Sequence, residues 1–216
     1  MSIIATVSIS EGLIMASDSR ITGSYIVDTP SGKQIDRYTI SDNGQKIFMI
    51  VKKIGISVCG DMIIDNLPIT EFIRNFENEC CNTTMSVEEC AKNLSAYTRL
   101  KGKQANVVYH VSGYDGGNQK IFRVKGDTIE PVERYSACWD GEAAVLNNLL
   151  TGSFPLNLNL NFMYLKDGIE FAEFLIDVTC QTQRFSNGVA TCGGPIDILL
   201  ITKDETRWIK HKILNP

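Results

Sequence analysis

Apolar positions fall in short runs at both ends of the chain and in 3.6-residue stripes between them. Residues 3–9 (IIATVSI) and 13–17 (LIMAS) read as two apolar strands joined by a tight turn at Ser10-Glu11-Gly12, where the glycine supplies backbone freedom. The second strand runs into a carboxylate, Asp18. A strand this apolar beside a terminus is expected to be anchored in a sheet. Residues 21–41 are polar and contain Pro30 and Gly32, a pattern open to a long loop or a small hairpin. Residues 45–51 and 55–59 form a second apolar hairpin turning at 52–54, and its unrelieved apolarity implies burial on both faces. It ends on Gly60-Asp61.

A helix is expected over much of 62–80, with Ile69, Phe72, Ile73 and Phe76 on one stripe and Pro68 marking its regular start or a kink. Ser86-Val87-Glu88-Glu89 is a capping-box signature for a helix running to about Arg99. Strands resume at 106–113, 120–125 and near 135–138, with a glycine-rich turn at 113–118. Residues 141–150 read as a helix, while the Asn/Leu-rich 152–165 carries no clear period. Asp167-Gly168-Ile169-Glu170 caps a long helix to about Gln183, with Phe171, Phe174, Leu175 and Val178 inward. Strands at 196–202 and 207–214 close the chain. Strands and helices in separate runs predict an α+β fold, not alternating βαβ units. Helices in two separated pairs suggest a four-layer α-β-β-α sandwich in one domain, 1–216.

Composition adds exclusions. A net charge of -4 and a pI near 5.3 argue against nucleic acid as the main partner, and the basic groups at 52–53 and 101–103 read as solvated turns. No run reaches membrane-spanning length, and no basic segment precedes an apolar one at the N-terminus, so a cytoplasmic protein without a signal peptide is expected. Seven cysteines without a C-x-x-C suggest free, mostly buried thiols. The two histidines, His110 and His211, lie far apart in sequence, so neither a zinc site nor a Cys-His protease is expected, and no cofactor is implied.

A hydroxyl that attacks an amide needs a base, a neighbouring positive charge and donors for the oxyanion. If Met1 is removed, Ser2 presents its hydroxyl beside a free α-amine. Lys46 opens a buried strand, Asp18 closes another, and Gly60 lies at a strand end with an N–H to offer. Each alone has an ordinary structural role. Together, within ASDSRITGSYI and Lys46-Ile47-Phe48-Met49-Ile50, they make the chain resemble the proteasome β-subunit family of N-terminal nucleophile hydrolases. Ser2 stands where that family has its catalytic threonine. Asp18, Lys46 and Gly60 match its acidic residue, its lysine and its oxyanion glycine, with residues 28–40 as an insertion.

The resemblance resumes in the long helix and in Gly193-Gly194-Pro195-Ile196-Asp197. Two departures accompany it. No serine stands in Cys138-Trp139-Asp140-Gly141, and no aspartate in 184–194, where Ser186 or Asn187 is the available substitute. The Arg-x-Ser-Asn and Gly-x-Pro-Ile-Asp pieces are more similar to Anbu, a bacterial proteasome-type branch that manages without the late aspartate. The resemblance implies a peptidase acting on peptides or proteins from a ring or spiral homo-oligomer, with any ATPase partner unspecified. Ile21, Val58 and Met62 would line the substrate pocket. A non-catalytic assembly subunit and a small-molecule amidase are the rival expectations.

Overall fold

The computed structural model describes residues 2–30, 32–102 and 105–213. Met1, Lys103 and Leu214 lie outside these, and with them the expected Met1 cleavage and part of one basic group; the last strand, expected to run to 214, ends at Lys210, with 212–213 in a turn. The first hairpin forms as read: β1 (Ile3–Ile9) pairs antiparallel with β2 (Gly12–Ser17), Ile4 opposite Ser17. Of the two readings open for 21–41, the hairpin is realised as β3 (Ile21–Thr29) and β4 (Gly32–Ser41). It forms a separate two-stranded sheet and exposes Tyr25, Ile26, Ile35, Tyr38 and Ile40. β5 (Ile47–Ile50) and β6 (Ile54–Gly60) follow.

The helix expected within 62–80 begins only after Pro68. Before it, β7 (Ile63–Ile64) and β8 (Leu67–Pro68) pair around Asp65 and Asn66, whose φ angles of 53° and 61° fit a two-residue hairpin turn. Then come α1 (Ile69–Cys80) and α2 (Val87–Lys101). The capping box of α2 is complete, Ser86 Oγ accepting from Glu89 N and Glu89 Oε2 from Ser86 N. β9 (Val107–Asp115) and β10 (Asn118–Lys125) precede β11 (Thr128–Pro131), a strand the pattern did not announce, and β12 (Ala137–Gly141).

After α3 (Ala144–Thr151), α4 (Leu165–Arg184) starts two residues before Asp167, because Asp167 reaches back to accept the Tyr164 N–H. Its inward stripe also differs from expectation: Gly168, Ala172, Leu175, Ile176 and Thr179 are buried, whereas Phe174 is exposed. The reason is close approach. A Cβ at Gly168 would come within 2.8 Å of Ile9 Cδ1, so small residues take the contact line, with Phe171 and Val178 packed half-buried at its edge and Phe174 turned outward. β13 (Asp197–Ile201) and β14 (Thr206–Lys210) complete the chain.

The result is an α+β protein with two five-stranded antiparallel sheets, ordered β12-β1-β2-β13-β14 and β11-β10-β9-β6-β5. One core cluster joins α1 and α2 to the second sheet through Phe72, Phe76, Leu94, Ile56 and Val111. Another joins α3 and α4 to the first through Leu146, Leu175, Ile3, Val7 and Leu200. A third brings Leu13, Met15 and Leu199 of the first sheet against Ile47 and Ile121 of the second. Alternating side chains of β1 thus divide, with Ile3, Ala5, Val7 and Ile9 in the helix-side cluster and Ile4, Thr6 and Ser8 on the opposite face. Among the described residues no helix is long and apolar enough to cross a membrane.

Candidate active site

The end of β2 carries a dense, buried polar arrangement. Asp18 is fully buried and accepts four donors: Lys46 Nζ at 2.6 Å and Ile3 N at 3.0 Å on Oδ1, Gly193 N at 3.1 Å and Arg20 N at 3.2 Å on Oδ2. Lys46 is equally buried and also donates to the Arg20 carbonyl at 2.6 Å. Two charges removed from water together are tolerated when paired and supported by further hydrogen bonds, here from three backbone N–H donors to Asp18 and from Lys46 to the Arg20 carbonyl.

The same carboxylate oxygen therefore touches both the ammonium and the amide that follows Ser2. That peptide unit is held at its other end too, because Glu142 N donates to the Ser2 carbonyl at 2.8 Å. Gly141 makes this approach possible: a Cβ there would lie 1.9 Å from the Ser2 oxygen. Ser2 is 1% exposed. Ser2, Asp18 and Lys46, read from three separated stretches, are thus brought into one buried cluster.

Gly60 stands at the end of β6, two residues beyond Val58, whose N–H donates to the Lys46 carbonyl. Its φ is +109°, and a Cβ would fall 2.1 Å from the Asn106 oxygen, so the backbone there requires glycine. Between Val58 and Gly60, burial pushes the Cys59 thiol up to about 12, with Asp140 and Asp18 adding to the effect and Lys46 and Arg123 opposing it.

The pocket residues separate. Ile21 and Met62 share a cavity of about 330 Å³ with Gly44, Pro68, His211 and Ile213. Val58 is instead fully buried in the core beneath α1 and α2 and does not line that cavity. Its side chain follows the alternation of Ile54 and Ile56, which the pattern of a strand apolar on both faces does not reveal. Beside the cavity, buried Asp197 pairs with Lys212. Burial lowers the His211 imidazole from its ordinary value, Lys212 adding to the effect against the pull of Asp197.

Of the late stretch, neither suggested substitute reaches the cluster: Ser186 donates to the Thr182 carbonyl at the end of α4, and Asn187 is exposed. What arrives is backbone. Gly193 donates to Asp18 and its carbonyl accepts the Ser19 N–H at 3.0 Å, while Arg20, clamped on Asp42 at 2.6 and 2.9 Å, holds the Ala190 carbonyl. Hydrogen bonding to Asp42 raises the Arg20 pKa and lowers that of Asp42.

Three further residues went unread in the sequence. Glu142, whose amide holds Ser2, accepts the Thr191 hydroxyl at 3.1 Å. Ser17 and Ser19 flank Asp18 with buried hydroxyls that have no hydrogen-bond partner among the described residues. The tripeptide Ser17-Asp18-Ser19 was the only local signal for the last two.

A second polar cluster lies in the same inter-sheet region. His110 is fully buried, with Nε2 3.0 Å from Asp140 Oδ2 and Nδ1 3.0 Å from Thr6 Oγ1 and 3.6 Å from Cys138 Sγ. Arg123 clamps Asp140 through Nε and Nη2, both at 2.6 Å. Burial alone would raise the Asp140 carboxyl, but bonds from Arg123 and His110 outweigh it and hold the group at about 2. All seven cysteines are free, three buried and four half-buried. Among the described residues no three His, Cys, Asp or Glu side chains gather as a metal site. No protein-family profile matches the chain, and no curated protein sequence matches it either.

Proposed function

We propose that the protein is a cytoplasmic N-terminal nucleophile hydrolase of the proteasome β-subunit type, acting on peptide or protein amides and assembling from copies of itself. The two sheets packed through Leu13, Met15 and Ile47, each with helices on its other face, support the four-layer α-β-β-α sandwich of that class. The observation that carries the reading is the buried Asp18 oxygen shared by the Lys46 ammonium and the Ile3 amide. It joins the Lys46 ammonium, through one carboxylate oxygen, to the peptide unit that follows Ser2.

With Met1 removed, the Ser2 α-amine, whose ordinary pKa is roughly 8, serves as base, taking the hydroxyl proton through a water. Ser2 Oγ then attacks the substrate carbonyl, and the Lys46 charge favours the ionised oxygen. The Gly60 N–H stabilises the developing oxyanion, and water releases the acyl group. Ile21 and Met62, sharing one apolar-edged cavity, fit a mid-sized apolar side chain of the substrate. Exposed Phe154, Phe162 and Phe185 beside α3 and α4 fit burial against further copies of the chain.

The test is N-terminal mass measurement together with hydrolysis of fluorogenic peptides. Loss of Met1 and abolition of hydrolysis by Ser2→Ala are expected. A chain that starts at Ser2 yet neither cleaves peptides nor reacts with a hydroxyl-directed β-lactone is instead an assembly subunit. The absence of aspartate from 184–194 favours that second reading. Cleavage of non-peptide amides alone identifies the amidase.

A further inference from the structure

We propose that Cys138 is a nucleophilic thiol activated by His110, and a site of oxidation by peroxides. Asp140 is a carboxylate clamped by two Arg123 nitrogens, so the His110 nitrogen facing it, Nε2, carries a proton and donates. That assignment turns Nδ1 towards Thr6 Oγ1 and Cys138 Sγ. Thiol, imidazole, carboxylate and guanidinium thus stand in sequence, contributed by β12, β9, β12 and β10, with Glu130 of β11 on the far side of Arg123 at 3.3 Å. An imidazole fixed by a carboxylate and aimed at a sulfur is the arrangement that makes a thiol nucleophilic.

Three observations separate this sulfur from the other six. Among the described residues no other cysteine has a histidine hydrogen bond. Burial opposes the positive charge of His110, yet Cys138 and Asp140 together lift the ring to about 9. Cys138 lies on β12, the edge strand of its sheet, whereas Cys59 and Cys90 are buried, Cys90 in the core joining α1 and α2 to the second sheet. The cluster opens there, with the Arg123 side chain 30% exposed and that of Asp140 12% exposed. The charged and titratable neighbours facing His110 are Asp140 and Cys138 from β12 and Arg123 from β10. Thr6 from β1 and Ser57 from β6, opposite His110, add only hydroxyls.

In the reaction the sulfur, its proton held by His110, attacks one peroxide oxygen. An S–O bond forms as the O–O bond breaks; the attacked oxygen keeps its own hydrogen and becomes the hydroxyl of the sulfenic acid, while the departing hydroxide takes the imidazolium proton and leaves as water. Sulfur is oxidised by two electrons and the peroxide is reduced. Thr6 Oγ1 and His110 Nδ1 remain to hydrogen-bond the new hydroxyl.

The whole protein is treated at neutral pH with limiting iodoacetamide, and separately with hydrogen peroxide and dimedone, and each cysteine is followed by peptide mass spectrometry. Cys138 is expected to alkylate about tenfold or more faster than half-buried Cys80 and to give the dimedone adduct. His110→Gln keeps an amide facing Asp140 but has no basic nitrogen at the sulfur. It should slow Cys138 to the Cys80 rate and remove the adduct. If that variant does not fold, the wild-type comparison decides alone. Alkylation of wild-type Cys138 no faster than Cys80, or unchanged reactivity in folded His110→Gln, overturns the proposal.

Discussion

Replacing Lys46 by methionine isolates what the buried ion pair contributes. The stem and volume are nearly kept, and only the ammonium goes. Asp18 would retain the Ile3, Arg20 and Gly193 N–H donors but lose the positive charge 2.6 Å away, in a site where neither side chain has any exposure. Coulomb attraction at that distance is about 6 kcal/mol for an effective dielectric near 20. Desolvation of the ammonium offsets part of it, so the expected net loss is about 3–5 kcal/mol, the usual cost of stranding a buried charge. Set against a typical domain stability of about 5–15 kcal/mol, that is a large fraction.

Urea unfolding followed by the fluorescence of Trp139 and Trp208 reads it, with the midpoint falling by about 1–2 M. Adding Asp18→Asn removes the stranded charge, so the double variant should be more stable than the sum of the two single losses predicts, by more than about 1 kcal/mol. Peptide hydrolysis should stay absent in the double variant even as stability recovers, separating the chemical role from the structural one. Unchanged unfolding of Lys46→Met, with additive behaviour in the double variant, would refute the reasoning.

Gly60→Ala should cost at least about 2 kcal/mol, because it combines a φ of +109° with a Cβ 2.1 Å from the Asn106 oxygen; a urea midpoint equal to wild type would remove the case for strain there. Stability should fall at both ends of the pH scale. Asp140 sits at about 2 against an ordinary 3.8, so its contribution of roughly 2 kcal/mol is complete above 3.8 and lost as pH falls through 2. His110 sits at about 9 against 6.5, so its contribution is complete below 6.5 and lost as pH rises through 9. Arg123→Gln should flatten the acid limb in thermal melts across pH, and an unaltered limb would assign it to other carboxylates.

The local elements were legible where one periodicity dominated. β1, the α2 capping box and the β5–β6 hairpin followed from residues adjacent in the chain. So did the resemblance that singled out Ser2, Asp18, Lys46 and Gly60. Residues 62–68 and the face of α4 were not legible in the same way. A two-residue turn at Asp65-Asn66 won over helical continuity. The close approach of Gly168 to Ile9 rotated the buried stripe of α4 away from Phe174.

The amino-acid pattern by itself determined the α+β class, most of the strands and helices, and a list of residues suited to hydroxyl chemistry. Only the tertiary structure decided which of them meet. Asp18 and Lys46 are 28 positions apart, Gly193 is 175 from Asp18, and Cys138 is 28 from His110. Periodicity reports which face of an element is buried, but not which strand lies opposite it. Pairing of β1 with β12 is what carried Glu142 to Ser2, and packing of the two sheets against each other is what brought His110 of β9 to Cys138 of β12.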